Sequence, residues 1–136
     1  MASLGAFLVL NGLLIVFISS VGGLALYRVL IRDGDPHDWH LLHAGGSARG
    51  IFLIALGGTV HLSSLSPTHA WVASGLVVLF VWASTLAMLL RALSGESGFS
   101  FSGATANRAG FVLYVIGAIS LAVGLIWLCW GFAGAF

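Results

Sequence analysis

Four long apolar stretches dominate this sequence and restrict what it can fold into. They cover approximately residues 6–30, 43–62, 70–93 and 108–131. Each holds roughly the 20 residues that a helix needs to cross a ~30 Å hydrocarbon core. The strands of a membrane barrel would alternate apolar and polar residues, and these stretches do not. Because backbone polar groups must be satisfied within each segment, the stretches predict four membrane-spanning helices.

The few charged residues lie almost entirely outside these stretches. Only 7% of the residues are charged against 60% that are hydrophobic, and a soluble domain of this composition would have no polar surface to present to water. The two prolines, Pro36 and Pro67, both fall in predicted connections, which supports the segmentation. We therefore expect an all-α polytopic membrane protein, with residues 1–136 forming a single integral membrane domain built as an antiparallel bundle of four transmembrane helices.

The distribution of arginines predicts how the bundle lies in its membrane. Four crossings place the first and third connections on one side and both chain ends on the other. The positive-inside rule makes the side with more arginines cytoplasmic, and the expected location is a bacterial inner membrane. Nucleic acid is not an expected partner, since a net charge of +1 makes no basic face; the expected partner is the lipid bilayer. The arginines flanking the two connections are Arg28, Arg32, Arg91 and Arg108.

The third connection, residues 94–107, is longer than the others and rich in serine and glycine. It also carries Phe99 and Phe101, whose rings would be unfavourable if they were fully exposed to water. We expect this connection to fold back onto the end of the bundle.

Ionisable side chains enter the second apolar stretch. His40, His43 and Arg49 interrupt an otherwise apolar helix. Such groups are costly at membrane depth, so they normally have a partner and often a function. His43 lies inside the apolar boundary, whereas the remaining histidines lie in connections or near the ends of stretches, where they fit an interfacial role. Those remaining histidines are His37, His61 and His69.

One face of the predicted second helix is lined by small residues. Gly46 and Gly50 form a small-xxx-small pair, which lets a neighbouring helix approach closely. Helix packing alone would explain this face. The same face could also leave a flat apolar slot below His43, and a haem needs only such a slot and one protein ligand.

A zinc site is the alternative to haem in the same region. A closed zinc site needs about four ligands, and His37, His40 and His43 could supply three of them, with Asp35 or Asp38 as the fourth. Helical geometry disfavours convergence of three imidazoles at this spacing, so the interpretation favours haem without excluding zinc.

The other helices offer few further ligands for an iron. The interiors of the first, third and fourth stretches hold no histidine. An iron on His43 would therefore keep an open position, or be closed by a neighbouring subunit or by Met88. A His/Met centre would have a raised potential and no open site, although packing is the commoner role of methionine.

The chain carries a set of landmarks at fixed spacing: Trp39-x3-His43, Gly50, Trp82 and the run Gly98-Phe99-Ser100-Phe101. These landmarks resemble those of the styrene oxide isomerases, a family of small four-helix membrane proteins. The resemblance covers approximately residues 39–120. It implies a homotrimer that holds haem b between subunits, with His43 as the axial ligand to ferric iron. It also implies conversion of aryl epoxides to aldehydes by Lewis-acid opening and a hydride shift.

The sequence departs from the family pattern at the pocket. Where the family has an asparagine six residues after the histidine, this chain has Arg49, and the family's aspartate and tyrosine of the third helix correspond to Phe80 and Met88. A family member can retain the fold and the iron ligand and still lose the epoxide chemistry. The alternatives are a non-enzymatic haem cytochrome with a redox partner and a small accessory subunit of a larger membrane complex.

Arg49 needs a partner whether the protein is an isomerase, a cytochrome or an accessory subunit. It could pair with a haem propionate, or its guanidinium could snorkel to the membrane interface. The candidate haem-binding residues are His43, Gly46, Arg49, Gly50 and Met88.

Overall fold

In a computed structural model that describes residues 1–135, the chain forms four long helices joined by short connections. They are α1 (Ala2–Leu30), α2 (His37–Leu62), α3 (Pro67–Ser94) and α4 (Thr105–Ala133). Each is long and apolar enough to cross a membrane, and no strand occurs in the described part of the chain. The predicted all-α membrane architecture of four helices is confirmed.

Local sequence explains where α3 begins and ends. Pro67 occupies its first turn, where the missing N–H costs nothing. The Oγ atom of Ser66 caps that turn by accepting from the backbone N–H of His69 at 3.4 Å. At the other end Gly95 takes a left-handed conformation with φ 71°, which terminates a helix at little cost when the residue is glycine.

Helix α2 starts at His37, whereas the hydropathy predicts a start near His43. Its first turn, His37–His40, is polar and aromatic. Its low hydropathy is therefore typical of a connection between helices. The next turn, Leu41–Gly45, is π-helical, and regular α-helix follows over Gly46–Thr59. Such π turns are rare and often occur at functional sites. His43 is the central residue of this one.

Helices α1 and α2 form a tight antiparallel hairpin through glycine. A Cβ atom on Gly12 would lie 2.5 Å from the carbonyl oxygen of Gly50, and one on Gly5 would lie 2.8 Å from that of Gly57. The two backbones touch at these points, as small residues allow in membrane helices. The small-residue face of α2 is thus covered by α1 of the same chain.

Helices α3 and α4 form the second hairpin, and the two hairpins pack against each other. A Cβ on Gly124 of α4 would lie 2.9 Å from the carbonyl oxygen of Ala73 of α3. Between the hairpins, Trp82 Nε1 donates to Asn11 Oδ1 at 2.8 Å. This bond joins α1 to α3 with both polar groups satisfied, which matters in an apolar medium.

The outer faces of the bundle are apolar. Leu24 on α1, and Ile126 and Trp130 on α4, are 67%, 72% and 78% exposed. Exposed apolar surface on this scale is incompatible with water and matches the lipid environment that the helix lengths imply.

The connection between α3 and α4 folds against α4, as expected. The ring of Phe99 stacks on Tyr114 with centroids 5.4 Å apart, and Phe101 meets Phe111 at 6.1 Å. Both phenylalanines nevertheless stay about two-thirds exposed, at 66% and 65%. They cover the end of α4 without being buried.

Asn107 holds this connection in place. Its Oδ1 accepts from the backbone N–H of Gly98 at 2.7 Å. Its Nδ2 donates to Ser100 Oγ and to the carbonyl oxygen of Ser102, each at 2.8 Å. A single buried amide therefore satisfies both donors and its acceptor within one loop.

Candidate functional site

The imidazole of His43 is half-buried between α2 and α1. Its Nδ1 lies 2.9 Å from the main-chain oxygen of Ser19. Because a carbonyl oxygen can only accept, the hydrogen lies on Nδ1 and the lone pair of the neutral ring lies on Nε2. Metal-ligating histidines typically donate their other ring N–H to a carbonyl in this way. His43 is thus oriented to offer Nε2 to a metal.

Two small residues of α1 make room for this ring. A Cβ on Gly23 would lie only 2.8 Å from His43 Nδ1. Ser19 is fully buried, and its own hydroxyl donates to the carbonyl of Ile15 at 2.8 Å. Sequence reasoning missed both residues, although their spacing of four along α1 places them on one helix face.

The glycines expected to leave a slot beside His43 are instead packed. A Cβ on Gly46 would lie 2.1 Å from Ser19 Oγ, and one on Gly50 would lie 2.6 Å from Val16 Cγ2. Helix α1 fills this space. The geometry therefore favours a packing role for Gly46 and Gly50, in the contact between α1 and α2, over a haem slot.

The structure brings together the three positions at which the sequence departs from the family pocket. They are Arg49, Phe80 and Met88. The Nη1 atom of Arg49 donates to Met88 Sδ at 3.1 Å. The guanidinium carbon lies 5.6 Å from the centroid of the Phe80 ring. A Cβ on Gly45 would lie 3.0 Å from Nη1 and 2.7 Å from Met88 Cε. We call Gly45, Arg49, Phe80 and Met88 the Arg49 cluster.

Arg49 lies deep in the membrane span. It follows His37 by twelve residues, which is about 18 Å along the helix. Its guanidinium contacts Met88 of α3 and approaches the position of Gly45, so it does not snorkel to the interface. The single ion pair among residues 1–135 joins Arg91 Nε to Asp38 Oδ1 at 2.5 Å. Arg49 therefore has no carboxylate partner in the described part of the chain.

Met88 is not placed to ligate an iron held by His43 of the same chain. Gly45 faces Met88, and His43 precedes Gly45 by two residues, which turns its side chain to the opposite side of α2. There it contacts α1, whereas Met88 contacts Arg49. This geometry favours the packing role of Met88 over a His/Met centre within one chain.

The zinc alternative also lacks support from the geometry. Within residues 1–135, no three or more His, Cys, Asp or Glu side chains come together as metal ligands. His37 and His40 do not join His43 in such a group, and Asp38 is engaged by Arg91.

A polar clasp closes the end of the bundle at which α2 begins. Besides its pair with Asp38, Arg91 donates from Nη1 to the carbonyl oxygen of Ser97 at 3.3 Å. Its guanidinium carbon lies 5.3 Å from the centroid of the Phe99 ring. The clasp ties the start of α2 to the end of α3 and to the loop that Asn107 holds.

The family model described as styrene oxide isomerase matches residues 4–133, nearly the whole chain. No curated protein matches the sequence.

Proposed function

The chain belongs to the styrene oxide isomerase family, and we propose that it is a membrane isomerase that converts an epoxide to an aldehyde with haem b bound through His43. The observation that carries the proposal is the hydrogen bond from His43 Nδ1 to the carbonyl of Ser19. It leaves Nε2 as an available ligand in an apolar, membrane-embedded setting. Haem iron at this position would supply a Lewis acid that polarises the epoxide oxygen.

The residues around His43 fit such a group. One imidazole is sufficient as the protein ligand of a haem. The neighbouring surface is apolar: a groove of about 380 Å³ between α1, the start of α2 and α3 is lined by residues that include Val21, Gly22, Trp39 and Leu42. Leu42, which directly precedes His43, lines this groove, and the His43 ring itself does not.

The chain's own residues have three tasks in this chemistry. His43 holds the metal, while Ser19 and Gly23 fix the tilt and tautomer of its ring. The apolar helices exclude water, which would otherwise open an activated epoxide to a diol. Arg49 offers N–H donors to an oxygen atom of the ligand.

We further propose that the working unit is a homotrimer. His43 faces α1 and the Arg49 cluster faces α3, so one chain does not turn both toward the same ligand. In an assembly of copies, the His43 side of one chain can face the Arg49 side of the next. The exposed apolar faces of α1 and α4 are compatible with such contacts as well as with lipid. We place the assembly in a bacterial inner membrane with the connections after α1 and α3 on the cytoplasmic side, following the arginine distribution.

Activity is tested by incubating the haem-loaded protein in mild detergent with styrene oxide and measuring phenylacetaldehyde. We expect turnover that disappears in His43→Ala, and a trimer by native mass spectrometry. A haem-loaded protein that forms no aldehyde would instead support the cytochrome alternative. A protein that takes up no haem would support the accessory-subunit alternative.

A further inference from the structure

Arg49 is a half-buried cation without a counter-ion among residues 1–135. The sequence contains four acidic residues, and none of them lies near the middle of a membrane span. Asp38 pairs with Arg91, and the other three lie in the connections. An ionised group at membrane depth normally faces a partner of opposite charge. The acidic residues outside the ion pair are Asp33, Asp35 and Glu96.

The partners that Arg49 does have are weak. A thioether sulfur such as Met88 Sδ is a poor acceptor, and a guanidinium carries five N–H donors. The face of the Phe80 ring attracts a cation but accepts no conventional hydrogen bond. The guanidinium is therefore held in place by apolar neighbours while most of its hydrogen-bonding capacity stays unused within the described residues.

We propose that the Arg49 cluster binds the carboxylate of an amphiphilic ligand. The planar fork of a guanidinium matches a carboxylate in a two-point contact. The ligand's charge would offset that of Arg49, and the apolar body would pack on Phe80 and Met88. Gly45 keeps the approach narrow but unblocked, because a side chain at this position would meet Arg49 Nη1 and Met88 Cε.

Two sources could supply this carboxylate. One is a haem propionate, and this source rests on the proposed function. Since His43 and Arg49 face opposite sides of α2, the propionate would belong to a haem held by a neighbouring copy. The other source is a free arylalkanoic acid that enters from the membrane, and it does not depend on haem.

The free-acid source is tested by titrating the whole protein in nanodiscs with 3-phenylpropionate and with the uncharged 3-phenylpropanol. If the acid occupies the cluster, we expect the wild type to bind it at least about tenfold more tightly than the alcohol, as a charge-assisted two-point contact requires. Arg49→Gln should remove this preference, and Arg49→Lys should restore only part of it because it lacks the fork. Arg108→Gln, which removes an exposed arginine, should behave as the wild type.

The haem source is tested with haem b and its dimethyl ester, whose propionates carry no charge. If a propionate occupies the cluster, Arg49→Gln should weaken binding of haem b about tenfold and leave binding of the ester unchanged. Equal affinity of the wild type and Arg49→Gln for phenylpropionate and for haem b would overturn the proposal. Retained selectivity for phenylpropionate in a protein that binds no haem would contradict the proposed function while leaving the carboxylate site standing.

Discussion

The imidazole of His43 lies against the backbone of Gly23, where an added Cβ atom would come within 2.8 Å of Nδ1. The same ring nitrogen lies 2.9 Å from the carbonyl oxygen of Ser19, one turn earlier in α1. The backbone of α1 thus sets both the position and the tautomer of the histidine. The proposed iron ligand on α2 is thus oriented by the backbone of the neighbouring helix α1.

Gly23→Ala should weaken haem binding although the residue carries no ligand. The methyl group would push the ring off the Ser19 carbonyl and reduce the fraction of histidine with Nε2 correctly oriented. Loss of a supporting contact of this kind typically costs about 10- to 100-fold in metal affinity. The measurement is the haem content and the Soret band of the purified protein.

Gly58→Ala is the matched control, since no atom lies within 4 Å of a Cβ at that position. It should retain haem as the wild type does. Full occupancy and an unchanged spectrum in Gly23→Ala would show that the α1 contact does not orient the ligand.

Gly50→Leu should destabilise the single chain rather than only its assembly. A Cβ at this position would lie 2.6 Å from Val16 Cγ2 and 2.7 Å from the carbonyl oxygen of Gly12, so α1 and α2 must separate. Overpacking of this kind costs about 1–3 kcal/mol. The measurement is the free energy of unfolding in detergent at several protein concentrations.

The decrease in the free energy of unfolding caused by Gly50→Leu should not depend on protein concentration, because α1 and α2 belong to one chain. Gly75→Ala, which meets no atom within 4 Å, should be close to neutral. A loss that vanishes at dilutions where the protein is monomeric would mean that the glycine face lies between subunits.

Sequence patterns predict the helices of this protein well, and the reasons are physical. Hydropathy reflects the lipid environment directly, so the ends of α1, α3 and α4 lie within about four residues of the expected positions. The start of α2 is not predicted by hydropathy because its first turn, His37–His40, is polar. The π turn around His43 has no hydropathy signature.

Pairwise contacts were harder to predict than segments. A glycine face predicts a close neighbour but does not identify it, and only the structure shows that α1 packs against Gly46 and Gly50. The resemblance to the family pattern predicts that Arg49, Phe80 and Met88 share one pocket. The structure brings these residues into contact. The role of Met88 could not be read from sequence, because a packing methionine and an iron ligand look alike.

Asn107→Ala should loosen the connection between α3 and α4. It removes the acceptor for the buried N–H of Gly98 and the donors to Ser100 and Ser102. Unsatisfied buried groups cost about 1–3 kcal/mol each. Faster hydrogen exchange over residues 97–102, with a lower free energy of unfolding, is the expected result.

Asn107→Asp keeps the acceptor for Gly98 but loses the two N–H donors, so its effect should be intermediate. Ser102→Ala, which removes an exposed hydroxyl and its contact with Ser100 Oγ but keeps the carbonyl that accepts from Asn107, should change stability by less than about 0.5 kcal/mol. Unchanged exchange in Asn107→Ala would contradict the anchoring role.

The most direct test of this account is the visible spectrum of His43→Ala beside those of His61→Ala and His69→Ala. All three changes remove an imidazole from the same protein, but only His43 donates Nδ1–H to a backbone carbonyl of α1 and lies in the π turn of α2. We expect a Soret band from the wild type and the two control variants and none from His43→Ala. A Soret band of undiminished intensity in His43→Ala would contradict the assignment of His43 as the haem ligand.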